Sequence, residues 1–213
     1  RGTNNSCCST AVAQTARSRW RCIGQRSQWR TFWVRIWQGR RPPAAGPPAL
    51  TGPLAGHDPA EIADPRPFAE IIRQWAALHP EFAFLPRKFK IAVNGAVSDR
   101  AAIEVHDIGL EAVKNDAGEL GFRVSVGGGL GRTPIVGSFI NEFLPWQHLL
   151  SYLDAILRVY NRYGRRDNKF KARIKILVKA LTPEVFAERV NAEWAHLKDG
   201  PTTLTEAEVQ RVS

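Results

Sequence analysis

Two lysines set two residues apart, Lys88 and Lys90, stand in the stretch Leu85-Pro86-Arg87-Lys88-Phe89-Lys90-Ile91-Ala92-Val93. In an extended segment, residues i and i+2 share a face. Both ammonium groups then aim at one spot, while Phe89 and Ile91 turn toward the opposite, core-facing side. Like charges held together repel, so the pairing has two readings. One is a solvated edge strand, where lysines discourage further strand pairing. The other is a site for a small anion. Downstream, Gly127-Gly128-Gly129-Leu130-Gly131-Arg132 would complement such a site. Without Cβ atoms these glycines let the backbone approach a ligand and turn N–H groups toward an anion. The stretch lacks the Lys-Ser/Thr that completes a phosphate-binding P-loop, and it does not fit the dinucleotide GxGxxG pattern.

Other chemically capable residues read as structural. His106 and Asp107 are neighbours in a strand-like run, so they face opposite ways and cannot share an acid/base site without a bend. They read as a strand-end histidine and a turn aspartate. His79, before Pro80, reads as a helix-end polar residue. Cys7, Cys8 and Cys22 have no CxxC spacing and no histidine near them. A metal site needs about four suitably spaced ligands, so neither a disulfide nor a cluster is assigned to them.

The ordered set Leu85-Pro86-Arg87-Lys88-Phe89-Lys90, His106-Asp107-Ile108-Gly109-Leu110, Val126-Gly127-Gly128-Gly129-Leu130 and the Arg/Lys-rich stretch after Gly164 resembles the haem-protein component of assimilatory sulfite and nitrite reductases. The resemblance covers roughly residues 57 to 212. It implies that Lys88 and Lys90 contact sulfite or nitrite bound on sirohaem iron. It also implies that Gly127, Gly128, Gly129, Arg132, Arg173 and Lys175 lie against this polycarboxylate macrocycle, whose acid groups need cations and backbone donors. The family's [4Fe–4S] cluster is held by cysteines beyond the matched part, and no cysteine occurs here after residue 56. The family's arginine segment that holds the anion and sirohaem finds no counterpart in residues 1 to 56. Asn168 stands where relatives often carry a basic residue.

Charge separates the chain into unlike parts. The formal charge is +10, a value that suggests a nucleic acid or another acidic partner. Residues 1 to 56 hold nine arginines, four of the seven tryptophans and all three cysteines, with no Lys, Asp or Glu. The remainder carries 21 basic against 20 acidic residues, so it lacks the charge excess of a nucleic-acid-binding domain. Trp29, Phe32, Trp33, Ile36 and Trp37 have helical spacing, and Gly39 to Pro53 is broken by Pro and Gly. A segment of this composition is also what GC-rich coding DNA yields out of frame. It is expected to be irregular, disordered or out of frame. No apolar run reaches the ~18 residues of a membrane span, and no secretory leader opens the chain, so a cytoplasmic protein is expected.

The elements that would position the site read in order. Asp64-Pro65 caps a helix with Phe68, Ile71, Ile72, Trp75 and Leu78 on one stripe, ending at His79-Pro80. Phe82, Phe84 and Leu85 lead into the lysine strand. Ala102 to His106, Gly109 to Lys114 and Leu120 to Val126 read as strands, the last two joined by a tight turn at Asn115-Asp116-Ala117-Gly118. Ile135 to Phe143 reads as a short helix. A long helix follows Pro145, with Leu149, Leu150, Leu153, Ile156, Leu157 and Tyr160 as its buried stripe. Arg165, Arg166, Lys169, Lys171, Arg173 and Lys175 read as a basic helix with Phe170, Ile174 and Leu177 as its apolar face. Thr182 caps a last helix with Pro183 at N1, bearing Val185, Phe186, Val190 and Trp194.

The expected architecture is an α+β domain over 57–200, a mainly antiparallel sheet with helices packed on it. Residues 1–56 form the irregular segment before it and 201–213 a loosely attached polar tail. The expected function is that of a fragment of an assimilatory sulfite reductase haem-protein: six-electron reduction of sulfite to sulfide, or of nitrite to ammonia. Electrons would come from ferredoxin or a flavoprotein reductase. The competing readings are a non-catalytic truncated or frameshifted remnant and a basic nucleic-acid-binding protein.

Overall fold

Asp64 and Pro65 start a helix as their types dictate. The Asp64 carboxylate accepts from the Arg66 N–H at 2.9 Å, satisfying an orphan donor of the first turn. Pro65 takes the first helical position, where its missing N–H costs little. This computed structural model describes residues 49–213, and in it helix α1 runs Pro65–Leu78. Phe68, Ile71 and Ile72 are buried along one stripe; each such side chain contributes roughly 1.5–3 kcal/mol by leaving water. The readings for residues 1 to 48, the helix at 29–37 and the three cysteines among them, lie outside the described residues.

Five strands stand in the sheet in chain order: β1 (Ala49–Thr51), β2 (Ile91–Asn94), β3 (Ile108–Lys114), β4 (Leu120–Val126) and β5 (Ser138–Pro145). β1 and β2 are parallel, as are β2 and β3; β3, β4 and β5 form an antiparallel meander. The antiparallel ladders are the longer ones, so the fold is α+β with a mainly antiparallel sheet. α1 lies on the crossover that parallel β1 and β2 require. Alternation puts Ile108, Leu110 and Ala112 of β3 and Phe122, Val124 and Val126 of β4 in the main core. Helix α3 (Leu149–Tyr163) buries its expected stripe in that same core. The short α2 (Pro80–Ala83), α4 (Ile174–Leu181), α5 (Pro183–Trp194) and α6 (Glu206–Val212) complete the α-helices of the described residues.

Several local expectations are corrected. Residues 49–51, inside the segment expected to be irregular to residue 56, form the edge strand β1; an edge position tolerates the prolines that flank them. Ala102 to His106 is not a strand. Ala102 takes a left-handed conformation (φ 51°), the Asp99 side chain accepts from the Ile103 N–H at 2.8 Å, and Ile103–Val105 closes a 3₁₀ turn. Ile103 thereby joins Leu50 and Ala92 in a small second cluster. Residues 138 to 143, expected within a short helix, belong to strand β5. Its pairing with β4 shifts register twice between Phe122 and Ser125, and such a bulge breaks the two-residue alternation that would have identified a strand.

The basic run after Gly164 is a loop with one 3₁₀ turn at Lys169–Lys171, and α4 begins only at Ile174. Asn168 caps that turn by accepting from the Phe170 N–H at 2.9 Å. Phe170 is 84% exposed rather than part of an apolar face. Thr182 occupies the N-cap position of α5, but its side chain makes no capping bond and its backbone sits at φ 72°, ψ 151°. The polar tail is ordered: Leu204 is buried, Thr205 and Glu208 form a reciprocal capping box, and Arg211 reaches Gln74 of α1 at 3.1 Å.

Candidate functional site

Strand β2 begins at Ile91, so Lys88 and Lys90 occupy the segment that leads into it rather than the strand. The alternation survives. Phe89 and Ile91 are buried, while Lys88 is exposed and Lys90 half-buried. Phe89 stacks on Tyr160 of α3 with ring centroids 5.8 Å apart. The Lys90 main chain is fixed on both sides. Its N–H donates to Asp107 Oδ2 at 3.0 Å, and its carbonyl accepts from the Ile108 N–H at 3.1 Å. Arg87, on the other side of Lys88, donates to the Lys169 carbonyl at 2.8 Å, which ties this segment to the basic loop.

Asp107 is the hub of the site. It is 1% exposed, and besides the Lys90 N–H it receives Arg173, with Nη2 at 2.6 Å and Nε at 3.2 Å from Oδ1. Arg173 itself is placed by the core: Tyr160 Oη donates to the Ala172 carbonyl at 2.5 Å. One buried tyrosine therefore supports both the lysine segment, through Phe89, and Arg173. Two residues on, Lys175 is 8% exposed. Its stem lies against Gly129, and its Nζ donates to the Thr133 carbonyl at 2.6 Å.

The electrostatics are those of a crowded cation cluster. Burial, with the Lys88 charge next in weight, pushes Lys90 below the ordinary lysine range, and Asp107 only partly offsets them. Burial and the Arg173 charge push Lys175 the same way. Burial, followed by the Lys90 charge, lowers His106 and favours its neutral form. Burial pushes the Asp107 carboxyl up, opposed by Arg173 and by the Lys90 N–H. Arg173 is paired with Asp107 and the Lys90 and Lys175 charges feel it, while Lys88 stands beside Lys90, leaving an excess of positive charge suited to an anion.

The glycines are adjacent, and their neighbours account for much of their bareness. A Cβ on Gly128 would lie 2.1 Å from the Glu104 carbonyl oxygen, and one on Gly127, at φ 90°, would meet Val178. The Gly127 N–H donates to the Asp107 carbonyl and the Gly129 N–H to that of Ile135, so these two N–H groups serve the fold. Arg132 lies on the exposed loop between Gly129 and Ile135, one residue from the carbonyl that anchors Lys175. The structure brings Lys88, Lys90, Arg173, Lys175 and Gly129 into one neighbourhood and leaves the Arg132 side chain facing solvent. Sequence reasoning missed Asp107. Its signal was an acid at the mouth of an apolar strand, while its cationic partners lie 17 and 66 residues away in the chain.

The donor set fits a polycarboxylate macrocycle together with a small oxyanion, since Lys88, Lys90, Arg173 and Lys175 offer charge-assisted hydrogen bonds. It does not fit an iron–sulfur cluster. The described residues contain no cysteine, and among them no three His, Cys, Asp or Glu side chains are grouped to hold a metal. No helix of the described residues is long and apolar enough to cross a membrane.

Comparison with known proteins gives the same direction. Residues 49–198 match the family described as nitrite and sulphite reductase 4Fe-4S domain. A sulfite reductase (ferredoxin) of Mycolicibacterium paratuberculosis is 34% identical over 151 residues, covering 70% of this chain and 27% of that protein. An assimilatory ferredoxin-dependent nitrite reductase of Haloferax mediterranei is 30% identical over 151 residues, covering 68% and 26%. The solved structure of the Mycobacterium tuberculosis NirA protein superposes with a TM-score of 0.63 at 32% identity, covering 74% of this chain and 30% of that one. The chain spans about a quarter of the length of the curated relatives it matches.

Proposed function

This chain belongs to the nitrite and sulphite reductase family, and we propose that it supplies the anion-facing part of an assimilatory sulfite reductase haem-protein. The observation that carries this reading is the cation cluster beside the Gly127–Gly129 strand exit: Asp107 binds the Lys90 main chain and Arg173, Lys88 stands beside Lys90, and the Lys175 stem lies against Gly129. Sulfite is the substrate on this reading, and nitrite is the second, since relatives of both kinds match at 34% and 30% identity. The overall reaction is six-electron reduction to sulfide or ammonia in the cytoplasm. Ferredoxin is the donor that the relatives' names favour, with a flavoprotein reductase as the other class.

Lys88 and Lys90 neutralise the substrate oxyanion and donate hydrogen bonds to its oxygens as the S–O or N–O bonds break. Charge developing on those oxygens is stabilised by donors already in place. Lys90 is suited to donate a proton, because burial and the neighbouring Lys88 charge make its ammonium more acidic than an ordinary lysine. Arg173, Lys175 and Arg132 would hold carboxylates of sirohaem, and Gly129 would let the chain pass close to it. Sirohaem, when bound, supplies the multi-electron redox chemistry. The [4Fe–4S] centre of the family would have to be ligated from elsewhere than residues 49–213.

Replacing Lys90 with Met in the complete enzyme that carries this segment tests the reading. Turnover should fall by roughly 10²–10³, the usual loss for one such donor, while the sirohaem absorbance stays. Unchanged turnover in both Lys88→Met and Lys90→Met would remove these residues from the anion site.

A further inference from the structure

Asp107 is an anomaly in an anion site. A carboxylate placed among cations lowers the potential that attracts the ligand, and burying it is costly unless it is paired. Its bonds show what it does instead. One oxygen takes the Lys90 main-chain N–H and the other takes two donors of the Arg173 guanidinium. Lys90 and Arg173 come from segments far apart in sequence, one leading into β2 and one leading into α4. Arg173 has no other ion pair among the described residues. Its side chain is 22% exposed, so its outer edge still faces solvent while Asp107 holds the inner edge.

We infer that Asp107 is a positioning residue, which holds the Arg173 guanidinium and the Lys90 main chain in one register so that both cations face the same anionic ligand. The inference rests on the cofactor reading above and names the group through which that site is organised. Two opposed effects make it testable. If Asp107 were only a nearby negative charge, removing that charge would tighten the binding of any polyanion. If it positions Arg173, the same change weakens binding although the net charge becomes more positive.

The probe is uroporphyrin, an iron-free porphyrin bearing carboxylates on every pyrrole, titrated by fluorescence into the full chain well below its melting temperature. Asp107→Asn keeps an oxygen for the Lys90 N–H and loses the charge. Its affinity should drop about tenfold, the scale of one charge-assisted hydrogen bond. Arg173→Gln should lose a similar factor, and Asp107→Asn added to Arg173→Gln should lose no more. A folded Asp107→Asn that binds as tightly as the unmodified chain, or tighter, overturns the inference and leaves the cofactor reading standing. Losses that multiply in the double variant also overturn it, since Asp107 would then not act through Arg173. If Asp107→Asn has no melting transition, Arg173→Gln decides, and unchanged affinity there overturns the inference. An unmodified chain that does not bind uroporphyrin overturns the cofactor reading and the inference together.

Discussion

Gly128→Ala should unfold this domain early, and the size of the effect follows from two distances. The added Cβ would lie 2.1 Å from the Glu104 carbonyl oxygen and 2.5 Å from that of His106. An ordinary C···O approach is about 3.3 Å, so one main chain must move by about 1 Å. Neither obstacle is a flexible side chain. The Glu104 carbonyl also accepts from the Gly137 N–H at 2.7 Å, so the shift endangers that bond too. Overpacking costs about 1–3 kcal/mol and a lost hydrogen bond about 1 kcal/mol, giving about 2–4 kcal/mol. For a chain of this size, that lowers Tm by roughly 4–16 °C. Thermal unfolding followed by far-UV circular dichroism measures it. Gly52→Ala is the control, because the nearest atoms to its Cβ lie at 3.9 Å. A Gly128→Ala protein melting as high as Gly52→Ala would refute the claim that the strand exit is closed by its own chain.

Three further outcomes are expected. Tyr160→Phe leaves the Ala172 carbonyl without its 2.5 Å donor and should cost about 1–3 kcal/mol in urea unfolding; no change would mean that the bond does not support Arg173. Thr182→Gly should stabilise by about 1–2 kcal/mol, since φ 72°, ψ 151° is a region that suits glycine alone, and a lower Tm would contradict the strain. The third concerns pH. The folded chain holds Lys90 below 10.5, its ordinary value, so between those limits the unfolded chain binds more protons and stability must rise with pH. Urea midpoints taken as pH climbs toward 10.5 should show a smaller rise in Lys90→Met, and identical slopes would exclude the shift.

What was legible in the sequence followed local rules. Asp64-Pro65 and the stripe of α1, the apolar positions of α3, and the turn between β3 and β4 are each specified by residues close in the chain. The lysine pair was legible because Phe89 and Ile91 fix which way the backbone faces, even though no strand forms there. Strand β5 was not legible, because its register shift erases the period that identifies a strand. The 3₁₀ turn at Ile103 depends on a left-handed Ala102 and on the Asp99 side chain, neither of which hydrophobic patterning reports. The α6 cap was written in Thr205 and Glu208 and was passed over because the surrounding residues are polar. Asp107 was missed for a different reason. Its partners Lys90 and Arg173 come from distant segments, and only the folded chain shows that they meet.

The chain order of the sheet bears on how this domain assembles. β3, β4 and β5 pair with sequence neighbours, so their ladders close short loops and can form early. β1 reaches β2 only across the crossover that carries α1, and it contributes only three residues to the ladder. The outer end of the sheet next to β2 is therefore held by the fewest pairings and should be the first to fray, whereas Asp107 stands at the start of the longer antiparallel ladders.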